Sequence, residues 1–198
     1  MKMKIKRLLD FLIASLLLIF FLPIIIFFSI LILIFDKQNP LFKQKRSGKD
    51  GSDIHIFKLS TMKSKNDKKY VTNLGNILRI SKIDELPQLF NVICGSISLV
   101  GPRPLYTEFN KYLSSKHKLR LDIKPGITGL AQIKMRDSTN WNKKFNYDVF
   151  YVKHFSITFD FYIMYQTLIM LINVLTKKEK KIIESNDYLS DFYKNYKK

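Results

Sequence analysis

Apolar residues fill almost every position from Phe11 to Phe35, and the chain then turns abruptly polar. The run is about 25 residues long, enough for a helix to cross a bilayer. It is too long for the core of a signal peptide, and no small-residue cleavage site follows it. Two features argue against a simple crossing. Pro23 lies at the midpoint, where proline removes a backbone hydrogen bond and bends the chain. Both flanks are basic, with Lys2, Lys4, Lys6 and Arg7 before and Lys37, Lys43, Lys45, Arg46 and Lys49 after. The positive-inside rule keeps both flanks on the cytoplasmic side. A helix that enters one leaflet, breaks at Pro23 and returns satisfies both features, because each half, about 12 residues or 18 Å, is too short to cross alone. A straight span with a small outer tail is the alternative.

After Asp36 the pattern predicts a turn at Gly48 and Gly51, a short strand from Ile54 to Met62, and a solvated charged loop from Lys63 to Lys69. A helix is expected to start at Asp84. With Asp84 as its N-cap, Pro87 falls at the third helical position, where its missing N–H is not needed. The stretch from Phe159 to Leu175 is only about 17 residues and carries Gln166, Thr167 and Asn173, so an interfacial helix fits it better than a second span. Lys177 to Lys181 then offer a basic edge to anionic lipid, and a mobile tail is expected beyond. The division is a re-entrant membrane helix over 1–36, a cytoplasmic-face domain over 37–176 and a basic, mobile tail over 177–198.

Composition narrows the class of partner. With 198 residues there is room for one compact domain and an anchor. The formal charge of +18 points to phosphates, anionic lipids or nucleic acid. No zinc-ligand spacing, helix-turn-helix pattern or RNA-binding aromatic motif accompanies it, so no nucleic-acid partner is expected. The single Cys94 rules out an internal disulfide, and its apolar context predicts an inert buried thiol. His55, His117 and His154 show no metal-ligand spacing.

Candidate chemistry gathers between Ser81 and Leu105, in SKIDELPQLFNVICGSISLVGPRPL. Asp84 and Glu85 are adjacent at a helix start, where free N–H groups and the helix dipole favour an anion. Neighbouring helical side chains point in different directions, so one carboxylate can hold a metal while the other faces a reacting phosphorus. An ordinary capping pair is the bland alternative. Arg103, between Pro102 and Pro104, has a stiffened backbone that pre-positions a planar fork for phosphate. The loop Pro125-Gly126-Ile127-Thr128-Gly129 permits close backbone approach to a ligand, or is a plain surface turn. Arg79 alone reads as a surface residue, and Asp148 as structural, in need of a partner inside its apolar block.

The ordered series KRLLDFLIASLLLIFFLP, FKQKRSGKDGSDIHIFKLSTM, LGNILRISKIDELPQLFNV, SLVGPRP, KPGITGLAQ and FNYDVFYVKHFSITFDF resembles the bacterial sugar transferase family, the monotopic polyprenol-phosphate phosphoglycosyl transferases. It covers most of Lys6 to about Leu175. The resemblance implies an α/β fold, mostly helical with a few short strands, bearing an N-terminal re-entrant membrane helix and interfacial helices. It implies transfer of a sugar-1-phosphate from a UDP-sugar to undecaprenyl phosphate, with release of UMP, at the cytoplasmic face of the bacterial inner membrane. Asp84 would then be the nucleophile and Glu85 the ligand of Mg²⁺, a hard ion suited to phosphates and few carboxylates. Lys58, Arg79, Arg103 and Asp160 would bind substrate. The chain departs from the family pattern at Leu22, Ser60, Ser96 and Leu130. The rival reading is a non-catalytic membrane protein that binds anionic lipids through its basic faces.

Overall fold

The long apolar segment forms helix α1, Lys2–Leu31, which widens into a π-helical turn at Ile32–Asp36. A computed structural model describes residues 1–65, 68–135 and 139–176. The expected break at Pro23 is not an interruption, since the helix runs through that residue. A proline deprives a helix of one hydrogen bond, and the turns on either side can remain intact. Lys6, Asp10, Ala14, Ile25, Ile32 and Asp36 are buried, whereas Leu8, Leu12, Leu16, Ile19, Phe20, Phe27 and Phe35 are exposed. The buried positions recur at helical spacing, so one face follows the domain and an apolar face is left open.

Behind α1 the chain forms β1 (Leu41–Ser47) and β2 (Asp53–Leu59), paired antiparallel with Leu41 opposite Leu59. The single strand expected over Ile54–Met62 thus ends at Leu59. The expected charged loop at 63–69 is instead part of a second hairpin, β3 (Met62–Lys65) with β4 (Lys68–Val71). Among the described residues this hairpin pairs with no other strand, so both its strands are edges, where charged residues such as Lys63 and Lys68 are tolerated. Helix α2 (Asn73–Ser81) follows, N-capped by Thr72, whose hydroxyl accepts from the Gly75 N–H at 2.9 Å. Then come α3 (Gln88–Cys94), β5 (Ser98–Val100), α4 (Ser115–Lys118), β6 (Gly126–Thr128), α5 (Leu130–Lys134), α6 (Trp141–Lys153) and α7 (Ile157–Thr176). Among the described residues the architecture is mostly helical, with three two-stranded sheets. The expected tail over 177–198, with its basic edge, lies outside the described residues.

The central core joins Ala14 of α1 to Leu89 and Val92 of α3, Leu99 and Val100 of β5, Tyr151 of α6 and Ile163 of α7. Ile25 and Ile32 form another cluster with Leu59 and Leu78. Cys94 is exposed, contrary to the buried thiol expected, because α3 turns Gln88, Leu89, Asn91 and Val92 inward and leaves its last residue on the opposite face. The Pro125–Gly129 loop also differs from expectation. Its residues Gly126–Thr128 form a parallel strand beside β5, and a Cβ on Gly126 would lie 2.1 Å from the Gly101 nitrogen. Glycine is needed there for contact between two backbones.

Asp160 is held away from solvent by Lys6 Nζ at 2.6 Å and by the Tyr151 hydroxyl at 2.5 Å. Lys6 also lies 3.5 Å from Asp10, which accepts from Ser98 at 2.6 Å. Removing one member of a buried ion pair leaves an uncompensated charge and costs roughly 3–5 kcal/mol. Lys6→Met is therefore expected to lower thermal stability in detergent strongly, and Lys6→Met with Asp160→Leu to recover much of the loss. An unchanged melting temperature in Lys6→Met would show that this tie carries no stability.

Candidate active site

Helix α2 ends at Lys82, whose backbone is left-handed with φ 61°. That conformation is unfavourable for a non-glycine residue and survives only where its surroundings fix it. It turns the chain into a single 3₁₀ turn, Ile83–Glu85, closed by Glu85 N–H to Lys82 O at 3.1 Å and Leu86 N–H to Ile83 O at 3.1 Å. Asp84 is consequently not the N-cap of α3, which begins at Gln88 with Pro87 in front of it. The carboxylate is buried, and its Oδ1 has no hydrogen-bond partner. A capping role would have used that oxygen.

Glu85 fares differently. Its Oε1 accepts from Lys58 Nζ of β2 at 2.9 Å and lies 3.4 Å from Arg103 Nη2. The Lys58 and Glu85 side chains are 16% and 13% exposed, whereas Arg103 is 47% exposed, so only the arginine also faces outward. Arg79, on the last turn of α2, donates from Nε to Thr61 Oγ1 at 2.9 Å. The structure thus brings Lys58, Asp84, Glu85 and Arg103 together, with Arg79 near enough to act on the Asp84 charge. Asp160 stands apart in its network with Lys6 and Tyr151, so its observed partners are not the expected phosphate-binding residues.

Electrostatics divide the two carboxyls. Burial, and next the Glu85 charge, push Asp84 up to about 6 against the attraction of Lys58, Lys82 and Arg79. Burial also penalises the Glu85 charge, but Lys58, Arg103 and Lys82 outweigh it and hold that carboxyl well below the ordinary range. Lys58 is lowered by its own burial, opposed by Glu85. The two neighbours are thus driven apart: Glu85 stays ionised, while Asp84 is a desolvated carboxyl that holds its proton more tightly.

Arg120 is the residue that sequence reasoning missed. Its Nη2 donates to the Arg103 carbonyl at 2.6 Å, while its Nε donates to Asp148 Oδ2 at 3.0 Å. Arg120 and Asp148 are both buried, and Arg120 is the partner that Asp148 needs inside its apolar block. The signal was present in Leu119-Arg120-Leu121, a cation between two apolar residues that needs a partner if it is buried. The Arg103 loop is further held by Gly126 N–H to Pro102 O at 3.0 Å.

The acidic pair also fits a hard cation shared with substrate. Among the described residues no group of three or more potential metal ligands occurs. Mg²⁺ bound to phosphates needs only one or two carboxylates, and Glu85, held ionised beside Asp84, could supply one.

Because the Asp84 pKa is raised, the folded protein holds its proton more tightly than the unfolded chain does. The group therefore costs stability as pH rises from 3.8, its ordinary value, to about 6, and the cost above that window reaches about 3 kcal/mol. Asp84→Asn should accordingly raise the melting temperature of the metal-free protein by several degrees near neutrality. The gain should shrink to nothing below about pH 4. A gain independent of pH would contradict the buried-charge explanation.

Comparison with known proteins identifies the family. The profile of the bacterial sugar transferase family matches residues 1–174. The chain is 39% identical over 175 residues to the uncharacterized sugar transferase EpsL of Bacillus subtilis, covering 84% of this chain and 86% of that protein. It is 37% identical over 185 residues to the UDP-glucose:undecaprenyl-phosphate glucose-1-phosphate transferase of Klebsiella pneumoniae, covering 84% of this chain but 40% of that longer protein. To the exopolysaccharide production protein PSS of Rhizobium leguminosarum bv. phaseoli it is 33% identical, over 85% of this chain and 96% of the relative. On a family profile that spans most of its length, this chain belongs to the bacterial sugar transferase family of phosphoglycosyl transferases.

Proposed function

We propose that this chain transfers a sugar-1-phosphate from a UDP-sugar to undecaprenyl phosphate, releasing UMP, as the first membrane step of bacterial glycan assembly. Transferases with that activity are among the relatives, acting on UDP-glucose in Klebsiella pneumoniae and on UDP-N-acetylgalactosamine in Aeromonas hydrophila. The observation that carries the reading is the divided pair: a buried, unpartnered Asp84 beside a Glu85 neutralised by Lys58 and Arg103.

In the first step an Asp84 carboxylate oxygen attacks the phosphorus that bears the sugar. A P–O bond forms, the bond from that phosphorus to the bridging oxygen breaks, and UMP leaves with the electron pair. An oxygen of the lipid phosphate then attacks the same phosphorus, the acyl-phosphate bond breaks, and the carboxylate is restored. A pKa of about 6 leaves Asp84 largely ionised at neutral pH. Arg103 offers a half-exposed planar fork to the diphosphate, with Lys58 and Arg79 adding positive charge at its inner side. Glu85 would hold Mg²⁺, which when bound neutralises the diphosphate and eases departure of UMP.

The membrane reading follows from the helix faces. The described residues include two helices long and apolar enough to cross a membrane, over Lys2–Asp36 and Ile157–Val174. In α7 the exposed Phe161, Tyr165, Leu168 and Ile172 fall on one face, while Asp160 and Ile163 are buried. One-sided packing along the domain suits a helix lying in the interface. Both ends of α1 are fastened to one body, by Lys6 to Asp160 and by Asp36 to Thr72. A straight helix of 35 residues would be about 50 Å long, so this fastening favours both ends on one side of the bilayer.

Purified protein screened against UDP-sugars should release UMP in the presence of undecaprenyl phosphate. Asp84→Asn should lose roughly a thousandfold or more in turnover while remaining folded, and Glu85→Gln should be impaired with a raised Mg²⁺ requirement. Wild-type turnover in Asp84→Asn would sink the nucleophile assignment. For topology, cysteines placed at Lys2 and Lys49 should both resist impermeant reagents in intact spheroplasts. Labelling of position 2 alone would establish a full span.

A further inference from the structure

The Lys82–Pro87 turn is short, and its shape is set by how α2 and α3 lie relative to each other. Each helix is itself brief, nine and seven residues, so neither is stable without tertiary support. Their far ends are both gripped by α1. Near its start, Arg7 donates from Nη1 to the Val92 carbonyl and from Nη2 to the Ile93 carbonyl at 2.6 Å, at the C-terminal end of α3. A guanidinium there satisfies carbonyls that the helix leaves free and complements the negative end of its dipole. The fit is close: Gly95 follows with φ 82°, and a Cβ on it would lie 3.0 Å from Arg7 Nη2. At the other end of α1, the buried Asp36 accepts from the Thr72 hydroxyl at 2.9 Å, and the same hydroxyl caps α2.

We infer that Arg7 and Asp36 are positioning residues for the reaction, so that the apolar N-terminal helix is a structural part of the active site as well as its anchor. One helix holds the outer ends of both elements that flank Asp84 and Glu85. A shift at either grip changes the angle between α2 and α3 and hence the placement of the two carboxyls. It also removes the constraint that holds Lys82 in its left-handed conformation. The inference rests on the catalytic reading of Asp84 and Glu85 given above.

The test uses full-length protein in lipid nanodiscs. Arg7→Lys keeps the positive charge that orients the segment but lacks a fork that reaches two carbonyls. Asp36→Ala removes the acceptor and leaves the Thr72 cap free to form. Each variant should speed amide exchange across residues 82–94 by at least about tenfold. Each should also lower kcat by about tenfold or more with KM for the UDP-sugar within threefold, while Lys4→Ala, which removes an exposed charge, changes neither. Exchange within twofold of wild type in both variants would overturn the grip. Faster exchange with an unchanged kcat would overturn the positioning role. The exchange measurement does not depend on turnover, so a wild type that releases no UMP would sink the catalytic reading and leave the grip still decided.

Discussion

Two adjacent carboxyls, both withdrawn from water, dominate this structure. Burying one carboxylate is costly, and burying two side by side is worse, because each raises the other. The fold resolves this by giving its cations to one of them. Lys58 and Arg103 meet at a single oxygen of Glu85, and Asp84 is left with an unpartnered oxygen. The asymmetry depends on three separate parts of the chain: β2 for Lys58, the 3₁₀ turn for the acids, and the loop after β5 for Arg103.

Most of the remaining structure supports those three parts. The Arg120–Asp148 pair holds the Arg103 carbonyl, and glycines let β6 and the Gly101 backbone approach closely. Polar side chains of α1 and its π-turn, buried at Lys6, Asp10 and Asp36 and half-buried at Arg7, tie this segment to α2, α3, β5 and α7. Such ties are expensive unless fully paired, which makes them specific. Beyond Lys4 the exposed residues of α1 are all apolar, so its buried polar residues serve the domain, and its apolar residues meet whatever surrounds it.

The sequence made the long apolar helix, the α7 segment and the acidic pair legible, because composition and local order mark each of them. It also marked Lys58, Arg79 and Arg103 through the order of the family blocks. Other features were hidden for physical reasons. β1, with Lys43, Lys45 and Arg46, carries no apolar alternation and exists through its pairing with β2. The start of α3 was misjudged because nothing local announces that Lys82 adopts positive φ. Asp160 and Lys6 are 154 residues apart, a pairing that only the tertiary fold can reveal. Arg120 offered a signal, a lone cation in an apolar context, but its two partners lie far off in the chain.

The central claim is that Asp84 is the group that takes the phosphosugar. Incubation of the protein with its UDP-sugar and Mg²⁺ but without lipid, followed by digestion and mass spectrometry, tests it directly. The account predicts one equivalent of UMP and a sugar-phosphate mass on the peptide carrying Asp84, discharged when undecaprenyl phosphate is added. An unmodified peptide, with UMP released only once the lipid is present, would contradict it and leave the pair as a metal site for direct attack by the lipid phosphate.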